Sequence, residues 1–544
     1  MTHLACAIHV ADLEQALRDA SQAAEQGADL AEYRVDRFID DPTALAGLFD
    51  RSPLACIVTC RSAREGGFCT ATDLERIEGL EAAMRLAVRK PAYLDIELAT
   101  YRQSAEMRGR IDALVGHDDR GGLPETGLIL STHDFDGRPA ALYQRIEAMA
   151  EAPACRVIKV AWRARSLRDN LEALEIIGRR HKPTIALCMG DFGLPSRVLA
   201  GKAGALVTYA AARAGEATAP GQPTVGELKR LYRWDAIRAD TRVYGVIGDP
   251  VGHSMSPAIH NAGFEHVGFN GVYLPMQIPA AYEHFKATVD SWIQAPGIDF
   301  MGASVTIPHK QNLLRFVREQ GGEVEDMALK LGAANTLVVS RTGPEPAVRA
   351  LNTDYAAALD AVCAGLDIGR GDVSGRRVAV MGAGGVARAV VAGFAHCGAT
   401  VVIYNRTFER ARELAEQFAD GPGKVVPARL EKLCDSCCGI FVNCTSLGMH
   451  PNEQDTPMSF SSRSKDLEPG TVVFDTVYNP PQTRLLREAK AAGCLTIAGA
   501  EMFVRQAAAQ FSLWTQAEAP LDLFRRVMAG ELAKQEGTKG RRDE

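Results

Sequence analysis

The chain has 544 residues, of which 47% are hydrophobic and 24% are charged, and its formal net charge is −6. At roughly 100–200 residues per domain, this length predicts about three domains, and the composition excludes a largely disordered chain. The slight acidity, with acids and bases interspersed, argues against a nucleic-acid-binding protein. No segment approaches the roughly 18 uninterrupted apolar residues of a membrane helix.

The cysteines and the first residues bear on the cellular compartment. The first residues include acidic side chains, and they lack the basic region, apolar region and cleavage site that follow one another in a signal peptide. Neither a secretory nor a transit signal is therefore expected. The 13 cysteines are odd in number and scattered, which favours reduced thiols. Cys434 and Cys437 have the spacing of half a zinc site, but no second pair follows, so no metal is predicted. We expect a soluble cytoplasmic protein.

Short apolar runs alternate with amphipathic stretches over residues 1–236, which predicts an α/β fold. Eight such units in about 236 residues favour a closed (β/α)8 TIM barrel, with an open doubly wound sheet as the alternative. In a barrel, the polar residues at the carboxyl ends of the strands form the active site. The apolar runs are 4–10, 29–35, 55–60, 92–98, 127–133, 155–161, 183–189 and 204–210.

A polar, irregular segment, 231–241, then precedes new strand–helix alternation. Residues 242–352 are predicted to form a second α/β unit, and a strong helix is predicted at about 499–516; the family resemblance given below implies that together they form a substrate-binding lobe. Residues 353–498 are predicted to form a Rossmann nucleotide-binding lobe. The charged tail over 517–544 is expected to fray.

The nucleotide site is predicted from a strand at 377–381 that runs into the sequence GAGGVA. This is the G-x-G-x-x-G/A fingerprint, followed by a helix whose N-terminus attracts a pyrophosphate. About 20 residues on, Arg406 stands where an NAD site carries an acid, and it can pair with a 2′-phosphate. NADP is therefore the predicted cofactor, with NAD, or a structural glycine turn without a nucleotide, as alternatives. The predicted cofactor-binding residues are Gly382, Ala383, Gly384, Gly385, Val386, Ala387, Asn405, Arg406, Thr407 and Arg410.

Lys310 and Asp354 are candidates for acid–base chemistry because they end the motifs VTIPHK and LNTD. Reduction of a ketone by a nicotinamide requires one proton at the carbonyl oxygen, and a lysine held by a carboxylate can supply it. On spacing alone, surface charge is the competing interpretation.

The motifs SMSP, VTIPHK, GAANT, NTD, GAGGVARA, NRT and MFVRQAAAQFSLWT occur in this order over about residues 242–516. Together they resemble the shikimate dehydrogenase family. The resemblance implies that Lys310 and Asp354 form the acid–base pair. Ser304 stands where bacterial members commonly have asparagine. The serine form is nearer to that of the plant bifunctional enzymes, and no substrate contact is assigned to Ser304. The resemblance assigns the substrate carboxylate to Ser254, Ser256 and Tyr478, and the ring hydroxyls or ketone to Thr306, Asn335 and Gln506.

Lys159, in the apolar run VIKVA, is a candidate Schiff-base nucleophile, because apolar surroundings lower the pKa of an amine. His133 ends the preceding strand and is expected within reach of Lys159. Such a pair suits proton abstraction next to an iminium, whereas a lone lysine at a strand end is more often structural.

The motifs EYRVD, TCR, EGG, STHDF, IKVA, PSR and APGQ resemble type I 3-dehydroquinate dehydratase over about residues 1–235. The resemblance implies a Schiff base on Lys159, acid–base catalysis by His133, and Glu65 as the carboxylate that orients His133. Arg197 is implied to bind the substrate carboxylate. Thr218 replaces the usual serine and keeps the hydroxyl. The remaining implied substrate-binding residues are Glu32, Arg34, Arg61, Thr218 and Gln222.

The two halves together resemble the bifunctional dehydratase/dehydrogenase family of the shikimate pathway, which serves aromatic amino acid biosynthesis. The resemblance implies dehydration of 3-dehydroquinate to 3-dehydroshikimate and reduction of the latter to shikimate with NADPH. The alternatives are an NAD-dependent quinate/shikimate dehydrogenase and a catalytically inert metabolite sensor. A sensor is expected to lack chemical residues, yet Lys159, His133, Lys310 and Asp354 are all present. The expected partners are these small molecules, without nucleic acid or membrane, in a monomer or homodimer.

Overall fold

The computed structural model describes residues 2–115, 126–179, 182–435, 438–458 and 470–540. No helix in these ranges is both long and apolar enough to cross a bilayer. Cys437, and with it the candidate zinc half-site, lies outside the described residues. Within them, no group of three or more histidine, cysteine or acidic side chains is placed to hold a metal ion.

The first eight strands form one parallel sheet, in the order β7-β6-β5-β4-β3-β2-β1-β8. At the seam, the amide of Leu206 donates to the carbonyl of Thr184 at 3.1 Å, so the sheet is a nearly closed barrel. The predicted (β/α)8 barrel is therefore confirmed. The strands are β1 His3–His9, β2 Leu30–Arg34, β3 Ala55–Thr59, β4 Tyr93–Glu97, β5 Gly127–Asp134, β6 Cys155–Arg163, β7 Thr184–Met189 and β8 Val207–Ala211.

In the part of the barrel that the structure describes, nine helices follow the strands, and several begin at a side-chain cap. Asp12 accepts the amide of Gln15 at 2.7 Å, while Thr72 and Glu75 form a reciprocal capping box. Such caps satisfy amides that the first helical turn leaves unpaired. The helices are α1 Leu13–Glu25, α2 Pro42–Arg51, α3 Asp73–Leu86, α4 Leu98–Tyr101, α5 Ala105–Leu114, α6 Leu142–Glu151, α7 Arg168–Gly178, α8 Leu194–Val198 and α9 Ala200–Ala203.

The second sheet has six strands in the order β10-β9-β11-β13-β14-β12, and β13 is antiparallel to β11 and β14. Its strands are β9 Arg242–Gly248, β10 Gly271–Gln277, β11 Phe300–Val305, β12 Glu323–Val324, β13 Thr336–Ser340 and β14 Ala347–Leu351. The helices among them are α10 Ser256–His266, α11 Tyr282–Gln294, α12 Lys310–Glu319 and α13 Asp326–Leu331.

The third sheet is parallel, in the order β17-β16-β15-β18-β19-β20. This is the strand order 3-2-1-4-5-6 of a Rossmann fold, which confirms that prediction. Ligands of such sheets bind at the carboxyl ends of the strands, where the order reverses, here between β15 and β18. The strands are β15 Arg377–Met381, β16 Thr400–Asn405, β17 Lys424–Arg429, β18 Ile440–Asn443, β19 Val472–Asp475 and β20 Leu495–Ile497, and the helices are α14 Asp354–Leu366, α15 Gly385–His396, α16 Phe408–Gln417 and α17 Arg484–Ala491.

Two helices close the described chain, α18 Gly499–Thr515 and α19 Leu521–Gly540. The first matches the predicted helix. The second shows that the prediction of a fraying tail was wrong. Phe524, Met528 and Leu532 are buried, because residues four apart share one face of a helix. Burial of this apolar face stabilises the helix although most of the other residues in the segment are polar or charged.

The chain divides into two compact units by the density of its internal contacts. The first comprises Met1–Val243, Asn270–Pro279 and Ala287–Phe300, and the second comprises Tyr244–Phe269, Ala280–Lys286 and Met301–Glu544. The domain boundaries given above, at about 236, 352 and 498, remain predictions.

Candidate functional sites

The first site is a small cavity in the barrel unit, at the carboxyl ends of the strands. Its volume is about 50 Å³. Every residue that the sequence assigned to dehydratase chemistry lines it, namely Glu32, Arg34, Arg61, Glu65, His133, Lys159, Arg197, Thr218 and Gln222.

Lys159 is buried and paired with two carboxylates. Its Nζ lies 2.7 Å from Oδ2 of Asp95 and 3.1 Å from Oε1 of Glu32. Burial alone lowers the pKa of Lys159, but the charges of Asp95 and Glu32 outweigh it and raise the pKa. The prediction of a lowered amine pKa was therefore wrong. Side chains alternate along a strand, so the apolar residues next to Lys159 in the sequence face the opposite side from Lys159. Lys159 itself faces the carboxylates of Asp95 and Glu32.

His133 and Glu65 form a hydrogen-bonded pair. Nδ1 of His133 lies 3.0 Å from Oε2 of Glu65, which also accepts the backbone amide of His133 at 3.0 Å. Burial, with the cations of Arg61 and Lys159, lowers the pKa of His133 well below its ordinary value. Burial also raises the pKa of Glu65 to about 7. The pair holds the ring in one orientation, and the lowered pKa favours the neutral form that can accept a proton.

Arg197 supplies a buried cation to the same cavity. It is 2% exposed, and its Nε has no hydrogen-bond partner among the described residues. Burial lowers its pKa to about 10. A buried guanidinium with spare donors is stabilised by a carboxylate, which fits the predicted substrate contact.

Arg34 and Gln222 are among the predicted substrate residues that have protein partners. Arg34 donates to Asp36 at 2.7 Å. Gln222 accepts the backbone amide of Thr218 at 2.9 Å and its hydroxyl at 3.1 Å, which closes the loop between them.

Asp95 is a functional residue that the sequence reasoning missed. It is 1% exposed, its Oδ1 accepts from Arg61 at 2.8 Å and from Ser131 at 2.6 Å, and its Oδ2 accepts from Lys159. The cations of Arg61 and Lys159 outweigh burial and hold the pKa of Asp95 well below its usual range. The available signal was a pair of carboxylates, Asp95 and Glu97, inside the otherwise apolar run YLDIEL.

The second site is a cavity of about 340 Å³ in the other unit. It collects the side chains that the sequence assigned to ketone reduction, and Val386 of the glycine-rich turn also lines it. Those side chains are Ser254, Ser256, Thr306, Lys310, Asn335, Asp354, Tyr478 and Gln506, together with Ser304.

Lys310 and Asp354 form an ion pair in this cavity, with Nζ 2.6 Å from Oδ2. Both residues begin helices, Lys310 at α12 and Asp354 at α14. The helix N-terminus stabilises the carboxylate of Asp354. Oδ1 of Asp354 accepts Nδ2 of Asn335 at 2.9 Å, so the carboxylate is fixed from both sides.

Gln510, which the sequence reasoning missed, continues this network. Its Nε2 donates to the hydroxyl of Thr336 at 2.9 Å, and that hydroxyl donates to Oδ1 of Asn335 at 2.7 Å. Its Oε1 accepts the hydroxyl of Ser304 at 2.6 Å. Ser304 therefore contributes through Gln510, which orients the Asn335 amide toward Asp354. The signal was its position one helical turn after Gln506.

The glycine-rich turn has the geometry that a dinucleotide requires. Gly382 has φ +112°, and a Cβ there would lie 3.0 Å from the carbonyl oxygen of Cys444. At Gly384 and Gly385 nothing lies within 4 Å of the position of a Cβ, which leaves space at the start of α15. Ala387 is fully buried. Open space before helix amides fits a pyrophosphate.

The residues predicted to bind the 2′-phosphate lie after β16, next to this turn. The amide of Gly382 donates to the carbonyl of Tyr404 at 2.8 Å, which places Asn405 and Arg406 alongside. Asn405 donates to the carbonyl of Thr407 at 2.8 Å. Arg406 and Arg410 are exposed and make no ion pair within the described part of the chain. These residues fit NADP.

Four family models match the chain in this order. Residues 4–239 match type I 3-dehydroquinase, and 246–337 match the shikimate dehydrogenase substrate-binding domain. Residues 366–446 match shikimate/quinate 5-dehydrogenase, and 499–529 match the shikimate 5′-dehydrogenase C-terminal domain.

Individual proteins match as well. The chloroplastic bifunctional 3-dehydroquinate dehydratase/shikimate dehydrogenase of Arabidopsis thaliana is 36% identical over 97% of this chain and 84% of its own length. An NADP-dependent shikimate dehydrogenase of Methanosarcina acetivorans is 39% identical over 53% of this chain and 97% of its own. A solved structure of dehydroquinate dehydratase and shikimate dehydrogenase from S. pombe AroM covers 97% of this chain and 98% of its own, with 26% identity and a TM-score of 0.45.

A lysine site in a (β/α)8 barrel, followed by a Lys–Asp site with a Rossmann nucleotide-binding turn, defines an enzyme with two active sites on one chain. The identity to the Arabidopsis protein over nearly the whole chain makes the assignment specific. This chain belongs to the bifunctional 3-dehydroquinate dehydratase/shikimate dehydrogenase family.

Proposed function

We propose that the barrel cavity dehydrates 3-dehydroquinate and that the second cavity reduces the resulting 3-dehydroshikimate. The chain is a bifunctional enzyme, a 3-dehydroquinate dehydratase and an NADP-dependent shikimate dehydrogenase. What remains to be assigned is which residues perform each step. One observation carries the assignment, namely that each predicted catalytic set lines a single cavity.

In the barrel, Lys159 forms a Schiff base with the substrate ketone. The ketone and the Lys159 ammonium together give a protonated imine and one water, so the carbonyl oxygen leaves with two protons from the nitrogen. Because Asp95 and Glu32 stabilise the ammonium, Lys159 first passes one proton to a neighbouring carboxylate, and the free amine then attacks the carbonyl carbon. The carboxylate returns that proton to the departing oxygen. Arg197 binds the substrate carboxylate and fixes the ketone near Lys159.

His133 then removes a proton from the carbon next to the imine. The electron pair of that C–H bond forms the enamine, the protonated nitrogen accepts the displaced charge, and the β-hydroxyl leaves as water with the proton that His133 returns. Glu65 holds the ring through Nδ1, so the other nitrogen faces the substrate. Water then hydrolyses the product imine and frees Lys159.

In the second cavity, Lys310 donates a proton to the ketone oxygen of 3-dehydroshikimate. Asp354 positions the ammonium, and Asn335 positions Asp354. Arg406 and Arg410 would hold the 2′-phosphate of NADPH, which when bound would supply the hydride. Neutral hydroxyls of Ser254, Ser256 and Tyr478 bind the substrate carboxylate without introducing a cation that competes with Lys310.

A trapping experiment tests the barrel assignment. Borohydride added with 3-dehydroquinate, without NADPH, should reduce the imine to a stable adduct on Lys159, identified by mass spectrometry of peptides. The Lys159→Arg variant keeps the charge and should give no adduct. An adduct on another lysine, or none on the wild-type chain, would show that the mechanism is wrong.

A second experiment separates the two sites. The wild-type chain given 3-dehydroquinate and NADPH should form shikimate, whereas K159R should stop before 3-dehydroshikimate and K310M after it. A mixture of the two variants should restore the complete sequence. Failure of the mixture, with each single activity intact, would contradict the assignment of one reaction to each cavity.

The cytoplasmic location and the monomeric or homodimeric state belong to the same proposal. Free cysteines, such as the buried Cys56 and Cys188, support a reducing compartment. The two described cavities fit small anionic substrates. Each lies within one compact unit, so neither site requires a second copy of the chain.

A further inference from the structure

Tyr209, on β8, carries a buried hydroxyl that the mechanism above does not use. Its side chain lines the barrel cavity with Lys159, Glu32 and Arg197, and the residue is 3% exposed. The hydroxyl has no hydrogen-bond partner among the residues that the structure describes.

An unpartnered buried hydroxyl is unusual, because buried polar groups nearly always find a partner. Tyr33, on β2 of the same barrel, follows the rule and is hydrogen-bonded to Oγ of Ser52 at 2.9 Å. A hydroxyl left unpaired at the wall of a cavity is available to a ligand in that cavity.

The position of the ring relates this hydroxyl to the reacting nitrogen. Nζ of Lys159 lies 4.3 Å from the centroid of the Tyr209 ring. A substrate carbonyl attacked by that nitrogen is therefore next to the Tyr209 side chain. Burial raises the pKa of the phenol above its ordinary value, so it keeps its proton and acts as a hydrogen-bond donor.

We propose that Tyr209 is a further catalytic residue of the dehydratase, whose hydroxyl donates a hydrogen bond to the substrate oxygen that departs when the Schiff base forms. This inference rests on the proposed Schiff base at Lys159. As the C–N bond forms, the π electrons of the carbonyl move to oxygen, and the hydroxyl stabilises that charge while it keeps its own proton. The oxygen then takes two protons from the nitrogen and leaves as water.

The Tyr209→Phe variant tests the proposal, because it removes only the hydroxyl. The expected result is a fall in dehydratase kcat, and in the rate of borohydride trapping, of about a hundredfold to a thousandfold, the range for loss of one donor to a developing oxyanion. KM should change much less. The shikimate dehydrogenase activity of the same chain should stay unchanged, which checks that the variant protein is folded.

Tyr33→Phe is the matched control, since it removes a buried hydroxyl of the barrel that is already satisfied. It should lower stability without slowing trapping. If the wild-type chain traps an adduct on Lys159 and Y209F traps it equally fast, the role of Tyr209 is refuted while the Schiff base stands. If the wild-type chain traps no adduct, the proposed function itself fails.

Discussion

Nζ of Lys159 lies 2.7 Å from Oδ2 of Asp95, and both side chains are buried at the centre of the barrel. The other oxygen of Asp95 accepts from Arg61 at 2.8 Å. One carboxylate therefore contacts two cations of the dehydratase site, and Glu32 supplies a second negative charge next to Lys159. Because a buried charge is costly unless it is paired, this contact decides the protonation of Lys159 before substrate binds.

Replacement of Asp95 by Asn should move the pH dependence of Schiff-base formation to lower pH. The charge of Asp95 raises the pKa of Lys159, so its loss makes the free amine available at a lower pH. The measurement is the rate of borohydride trapping as a function of pH. The Asp40→Asn variant, which changes an exposed carboxylate, is the control and should leave the pH profile of trapping unchanged. An unshifted D95N profile would mean that Asp95 does not set the charge of Lys159.

The His133→Ala variant should separate Schiff-base formation from dehydration. Loss of a general acid–base should reduce kcat on the order of 10²–10⁴-fold, while trapping on Lys159 persists, because His133 acts after the imine has formed. Glu65→Gln should give a smaller loss, since the amide oxygen can still accept from Nδ1. Equal loss of trapping and turnover in H133A would place His133 in imine formation instead.

Lys310→Met should abolish ketone reduction and leave the dehydratase intact. In the proposed mechanism the ammonium held 2.6 Å from Asp354 is the proton donor of the second cavity, and its loss should reduce kcat on the order of 10²–10⁴-fold. NADPH affinity, measured by fluorescence, should stay close to that of wild type, because none of the residues predicted to hold the nucleotide is changed. A loss of NADPH binding equal to the loss of rate would contradict a proton-transfer role.

Arg406→Asp should weaken NADPH binding far more than NADH binding, because only NADPH carries the 2′-phosphate that the new carboxylate repels. The measurement is the Kd of each nucleotide by fluorescence titration. Asp at the exposed Arg412, which pairs with Glu416 at 3.7 Å on the same helix, is the control and should affect neither nucleotide. Equal losses for both nucleotides in R406D would exclude the phosphate contact.

The stability of the second unit should fall as the pH drops below 6.5. Burial lowers the pKa of His260 from 6.5 to about 3, so below pH 6.5 the unfolded chain binds a proton that the folded chain excludes. The loss is about 1.4 kcal/mol for each pH unit down to the folded pKa. The His260→Leu variant should weaken the pH dependence of the free energy of unfolding in urea between pH 6.5 and pH 4. The His266→Leu variant, which changes an exposed histidine, should leave that dependence unchanged. A steep dependence in H260L would assign the effect to other groups.

Much of the fold followed from local patterns. The alternation of apolar runs with amphipathic stretches predicted the barrel, and the strand before GAGGVA predicted the Rossmann sheet. The tail was mispredicted because composition hid the four-residue spacing of Phe524, Met528 and Leu532, which becomes an apolar stripe only when the helix packs.

The catalytic residue types were accessible from sequence because each motif holds its chemistry within a few positions. Their electrostatics were not. Asp95 is 64 residues from Lys159, and Gln510 is 206 residues from Ser304, yet both pairs are in hydrogen-bond contact. No local pattern reports such a distant neighbour.

The sequence by itself therefore determined the element types and the order of the two enzymes, and it supplied the residues that we propose for the chemistry. Only the tertiary structure decided the charge of Lys159, the orientation of Asn335 and the unpaired hydroxyl of Tyr209. The physical reason is that secondary structure and motifs depend on neighbours along the chain, whereas pKa values and hydrogen-bond satisfaction depend on neighbours in space, in a medium where an unpaired charge or donor is costly.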